Sequence, residues 1–144
     1  MSVSFSACDH LNATQVMRSD GQRHTRYAEV EIPETWQFNW SNSNARLVLA
    51  LLGLEDPYLS GEASVAECRR ALMLARSRDA SAYTRGEEVE YGAPRPNEDG
   101  TIELKPVRML SYGLDSEGVR HRMEAFAQFV EVAAKLGATH IRWG

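Results

Sequence analysis

Few residues in this chain have the types and spacing that chemistry requires. The four histidines, His10, His24, His121 and His140, are scattered, and none forms an HExxH or HxxxH pair. Cys8-Asp9-His10 is the most suggestive run, because thiolate, carboxylate and imidazole all ligate metals. Consecutive strand residues point to opposite faces, however, so the three cannot readily meet at one ion. Cys8 and Cys68 match neither a zinc spacing nor CxxC. No metal and no cofactor is therefore expected. There is no GxSxG, GxxxxGK[ST] or GxGxxG, and the loop at 55–63 lacks the alternating Asp/Asn ligands of an EF-hand. Both cysteines read as reduced, partly buried thiols, with Cys68 inert on the buried face of a helix.

A polar cluster at 39–44 stands out: three asparagines and two serines in six residues, followed by an aliphatic run. Ser41, Asn42, Ser43 and Asn44 can all accept from the free amides of a first helical turn. One cap is needed; the surplus amides offer the donors and acceptors that a polar ligand requires. Trp36 and Trp40 flank the cluster, and tryptophan is enriched at contact surfaces. Local backbone bonding remains the cheaper explanation of the asparagines. Arg120, His121 and Arg122, joined by Arg142, could form a cationic pocket, against the plain alternative of a solvated helix face. His140 has the side chain suited to proton transfer near neutrality.

The elements that would position these groups follow from periodicity. Residues 2–8 and 26–32 alternate apolar and polar, the pattern of half-buried strands, and Pro33 stops the second. Residues 9–25 are polar, with a turn at Asp20-Gly21 that suits a hairpin tip or a mobile loop. Helix 1 should begin at Ser41–Asn44 and end at Leu52, where Gly53-Leu54 is a Schellman signature. Its run from Leu47 to Leu52 is wholly apolar, which places it centrally in the core. Ser64-Val65-Ala66-Glu67 is a capping box for helix 2, about 65–77. From 79 to 114 the chain is rich in glycine and proline. Val89 and Tyr91, then Val107–Leu110, suggest strands, and Asp99-Gly100 a hairpin turn. The segment from Gly86 to Gly113 reads as an exposed excursion, with a lid or partner-binding arm as the alternative. Helix 3, capped by Asp115 or Ser116, carries Val119, Met123, Phe126, Val130, Ala133 and Leu136 at helical steps. Gly137 ends it. In the last strand Thr139, Ile141 and Trp143 share one face, His140 and Arg142 the other.

With 144 residues and 43% hydrophobic content, the chain can bury a real core without staples. The expected fold is one domain over 1–144 of α/β (α+β) class: a small mixed sheet with about three helices packed on it. A net charge of −4 does not suggest a nucleic-acid binder, although Arg69, Arg70, Arg76, Arg78 and Arg85 leave room for a local basic patch. The first residues lack the basic start and apolar run of a signal peptide, and no stretch is apolar enough to span a bilayer. The expectation is a cytoplasmic protein with no nucleic-acid or membrane partner.

The run SNSNARLVLALLGL, a GE-containing loop, a second helix and a late helix leading to IRWG together resemble a group of small uncharacterised bacterial proteins. Asn42, Asn44, Leu51, Gly53, Leu54, Gly61, Arg122 and Trp143 carry the likeness, over about half the chain. The ends and the segment near 79–112 stand outside it. The resemblance implies a bacterial origin and no particular activity.

Two functional expectations follow. The first is a non-catalytic binding or interaction protein, contacting a protein partner or a second copy through Trp36, Trp40, Asn42 and Asn44. The second is a small enzyme acting on a polar small molecule, with His140 as acid/base and Asn42 and Asn44 orienting substrate between helix 1 and the last strand. Arg122 is the further binding candidate.

Overall fold

A computed structural model describes residues 2–83, 87–104, 106–111 and 115–144. Alternating Val3, Phe5 and Ala7 commit the N-terminus to a strand with one buried face. This strand, β1 (Ser2–Met17), runs well past the expected end and forms a hairpin with β2 (Arg23–Val30). The polar stretch after residue 9 is thus mostly strand. Asp20-Gly21 is its tip, with Gly21 at φ 82° and Gly21 N–H donating to Arg18 O at 3.0 Å. After a 3-10 turn at Glu34–Trp36, β3 (Asn39–Ser41) pairs with the first residues of β1 and leads into α1 (Asn42–Leu52).

Helix α1 closes as its glycine demands. Gly53 is left-handed at φ 70°, its N–H reaches Ala50 O at 3.0 Å, and Leu54 N–H reaches Leu49 O at 2.8 Å, the Schellman pair. β4 (Gly61–Ser64) follows, in a stretch read from sequence as loop, and then α2 (Val65–Arg76). Ser64 Oγ accepts from Glu67 N–H at 3.1 Å, the forward half of the expected capping box. β5 (Glu87–Tyr91) pairs with β8 (Pro106–Ser111), and β6 (Arg95–Pro96) with β7 (Ile102–Glu103), the latter around the expected Asp99-Gly100 turn. Arg85, Gly86 and Gly113 lie outside the described residues. α3 (Ser116–Lys135) is capped by Asp115, whose carboxylate accepts from Gly118 N–H at 2.7 Å, and it drops through Gly137 into β9 (His140–Trp143).

The fold is α/β, with three helices on a sheet ordered β2-β1-β9-β4. Every described pairing is antiparallel. The helices cover the face bearing Val3, Phe5, Ala7, Ala63, Ile141 and Trp143, and the core lies between. Phe5 is its hub, with ring centroids 4.7 Å from Trp40 and 5.7 Å from Phe126. Among the described residues no helix is long and apolar enough to cross a membrane.

The cap of α1 is Ser41. Its hydroxyl accepts from Asn44 N–H at 3.4 Å, while neither the Asn42 nor the Asn44 side chain has a hydrogen-bond partner among the described residues. Ser41→Ala should therefore cost about 0.5–1 kcal/mol, the lower part of the capping range because the bond is long. Asn42→Ala and Asn44→Ala should stay within about 0.5 kcal/mol of wild type. Thermal unfolding of the three variants checks this; a larger loss at either asparagine would move the cap to that amide.

Candidate functional site

The sheet has a second face, turned away from the helices. Alternation places Ser6, Cys8, His140, Arg142, Glu62 and Ser64 there, opposite the core residues. The pairing arranges them in ranks across three strands. Ser6 stands beside Arg142 and Arg142 beside Glu62; one rank on, Cys8 stands beside His140 and His140 beside Ser64.

His10 shares this face with Cys8 by alternation, at the start of a break in β1. The β1–β2 register jumps between Asp9 and Ala13, while the partners Ala28 and Tyr27 are consecutive, so three residues of β1 bulge out. Asp9 holds the bulge: its carboxylate accepts from Leu11 N–H at 2.9 Å and from Asn12 Nδ2 at 2.6 Å. This is the local bonding that aspartate offers at turns. Thr139 pins the other side, its Oγ1 accepting from His10 N–H at 2.8 Å and its own N–H donating to Cys8 O at 2.9 Å. Bulges of this kind re-aim side chains beside functional sites.

The His10 imidazole stacks on two rings. It stacks on His140 with centroids 3.4 Å apart and on Tyr27 at 3.8 Å. Its edge meets Glu62, with Nε2 2.8 Å from Oε1. That approach is off the line of a ring N–H, and buried Nε2 makes no directed hydrogen bond. The other oxygen, Oε2, accepts from Arg142 Nε at 2.7 Å, and the Arg142 guanidinium also lies 5.7 Å from the Tyr27 ring centre. His140 Nδ1 is 2.9 Å from Thr139 Oγ1.

Burial pushes the Glu62 carboxyl up, but the Arg142 hydrogen bond and the charges of His10, Arg142 and His140 outweigh it, leaving the group below its usual range. The same hydrogen bond raises Arg142 against its own burial. Cys8 is 1% exposed yet sits among these polar groups rather than in the apolar core. Burial raises its thiol, as do Glu62, Asp9 and Glu29, while Arg142 opposes them. Cys68 lies in the core itself, where burial pushes its thiol up to about 12. Both cysteines are free thiols.

Of the binding and catalytic candidates named from sequence, His140 and Arg142 belong to this cluster, joined by Cys8 and His10, which were weighed from sequence as metal ligands and set aside. Trp36 is 39% exposed in the 3-10 turn, but Trp40 is 5% exposed and packs into the core against Phe5 and Phe126. Asn42 and Asn44 occupy the first turn of α1, on the helical side. Ser41 pairs with Ser2 and His140 with Cys8, six positions apart along β1, which is about 20 Å. The structure therefore does not bring His140 to the asparagines. Arg122 lies on α3, across the sheet from Arg142, so the cationic pocket does not form.

Among the described residues of the suggested basic patch, Arg69, Arg76 and Arg78 are engaged. Arg69 and Arg76 make two-pronged bonds to Glu131 and Glu124 of α3, and Arg78 caps α1 through Leu51 O. Missed from sequence were Glu62, Tyr27 and Thr139, and the pairing of Cys8 with His10. The available signal was the two-residue step from Cys8 to His10, which keeps both on one strand face.

What this arrangement defines is an antiparallel α/β fold with a mixed thiol, imidazole, carboxylate and guanidinium cluster on its outer sheet face. Compared with known proteins, the chain matches no family model, no curated protein and no solved structure.

Proposed function

We propose that the protein is a non-catalytic binding protein whose contact surface is the outer face of the sheet around His10, Glu62, His140 and Arg142. The observation that carries this is the packing of His10, beside the bulge at residues 10–12, on His140 and Tyr27 and against Glu62. A register break that costs ladder hydrogen bonds is a device for aiming a side chain. The reading moves the contact surface away from Trp40, whose ring supports the core.

The test is two-dimensional amide NMR with a panel of small polar molecules and ions. A binder should shift, saturably, the amides of His10, Glu62, His140 and Arg142, and should be recovered unchanged. Shifts confined to Asn42 and Asn44, or none, overturn the proposal.

A second reading is favoured by the 2.8 Å approach of His10 Nε2 to Glu62 Oε1, an imidazole–carboxylate pair suited to proton transfer. Recovery of a chemically altered ligand would select this enzymatic reading, with His10 rather than His140 beside the carboxylate.

A further inference from the structure

We propose that Cys8, His10 and Glu62 form a three-ligand site for one zinc-class divalent cation. The inference names the ligand of the outer face and rests on the binding reading above.

Three independent features support it. The first is convergence. A thiol sulfur, an imidazole nitrogen and a carboxylate oxygen, from two strands that are not neighbours, lie within 4.8 Å of one another. Zinc–ligand bonds of about 2.0–2.3 Å at tetrahedral angles separate ligand atoms by roughly 3.3–3.8 Å. Glu62 Oε1 and His10 Nε2, now at 2.8 Å, need to part by only about 0.5 Å to admit an ion.

The second feature is the close approach of two ligand-type atoms, His10 Nε2 and Glu62 Oε1. An unprotonated imidazole nitrogen and a carboxylate oxygen are both acceptors, so at 2.8 Å either a proton on Nε2 or a cation lies between them. The buried Nε2 has no directed hydrogen bond that would mark a well-placed proton. Around the Cys8 sulfur, Arg142 supplies positive charge and Glu62, Asp9 and Glu29 supply negative charge.

The third feature is the support behind each ligand. Tyr27 and His140 stack on the His10 ring and leave its Nε2 edge facing Glu62, the direction along which an imidazole ligates. Arg142 holds the far oxygen of Glu62, leaving Oε1 as the ligand atom. Such outer partners orient ligands and tune affinity in established sites. The sulfur–nitrogen–oxygen set selects zinc-class ions over magnesium or calcium, which prefer oxygen alone. Three protein ligands leave a fourth position for water or an incoming ligand. Binding exchanges the Cys8 S–H bond for a sulfur–metal bond and releases the proton to solvent, with no change of oxidation state.

The test is titration of reduced, chelator-stripped protein with cobalt(II), followed by zinc. Expected are one equivalent bound, a near-ultraviolet thiolate-to-cobalt band, tetrahedral visible bands, displacement of both by zinc, and proton release. Cys8→Ser should abolish the thiolate band, while Cys68→Ser should keep it. His10→Gln and Glu62→Gln should weaken binding by about tenfold or more, since even outer partners of a ligand are worth about 10–100-fold. Circular dichroism establishes that each variant is folded, and zinc-induced shifts of the His10 ring in wild-type protein give a readout that needs no variant. Absence of saturable binding, or a thiolate band that survives Cys8→Ser, overturns the inference. If cobalt does not bind but polar molecules still shift the amides of His10 and Arg142, the metal site fails and the binding reading stands. If neither occurs, both fail.

Discussion

Phe126→Ala should destabilise the protein by about 3–5 kcal/mol, the cost of emptying a large aromatic site in a close-packed core. Phe126 is 0% exposed. Its ring stands edge-on to Phe5 at 5.7 Å and near Trp40 at 6.4 Å, so it joins α3 to both β1 and β3. Truncation removes the buried area and the aromatic contacts together, and rings locked by several neighbours cannot easily close the gap. For a chain of this length the melting midpoint should fall by roughly 10 °C or more. In urea the midpoint should drop with an unchanged slope, the sign of lost stability rather than altered compactness. A cost under about 1 kcal/mol would show that the aromatic cluster collapses over the vacancy.

Gly61→Ala should cost about 1–3 kcal/mol, as expected when a carbon is forced into filled space. An added β-carbon would stand 2.6 Å from Trp143 Cζ2 and 2.9 Å from Cε2. Elsewhere Gly→Ala often stabilises by about 0.4–1 kcal/mol through the unfolded chain, so the sign itself is diagnostic. Gly61 and Trp143 are direct partners in the β4–β9 ladder, and the next pair along is Glu62 with Arg142. Forcing the ring aside moves the strands that hold the 2.7 Å Arg142–Glu62 contact. Trp143→Phe removes the offending ring atoms, so in a double-mutant cycle it should return a large part of the loss. Additive costs would place the damage elsewhere.

Both predictions depend on side chains that meet across long stretches of sequence, and so does the candidate site. The two-residue alternation of the last strand correctly separates His140 and Arg142 from Ile141 and Trp143. It cannot say what stands beside them, because those neighbours come from β1 and β4. β4 is four residues long with no apolar alternation of its own, and it is a strand because β9 offers it a ladder. The expectation that Cys8, Asp9 and His10 cannot share an ion holds for Asp9, whose carboxylate is engaged in the bulge. It does not reach Cys8 and His10, which alternation leaves on one face, nor Glu62, which only the fold supplies.

By itself the sequence determined what adjacent residues settle among themselves. Three amphipathic helices, their serine and aspartate caps, the Gly53 and Gly137 exits and the Asp20-Gly21 and Asp99-Gly100 turns all follow from bonds spanning five residues or fewer. The tertiary structure decided which face of the sheet the helices cover, that Trp40 is core, and that Cys8, His10, Tyr27, Glu62, His140 and Arg142 meet on the outer face. Those outcomes depend on strand order, register and one bulge. Register is set by pairing between strands far apart in the chain, and a single slipped residue would turn every side chain to the opposite face.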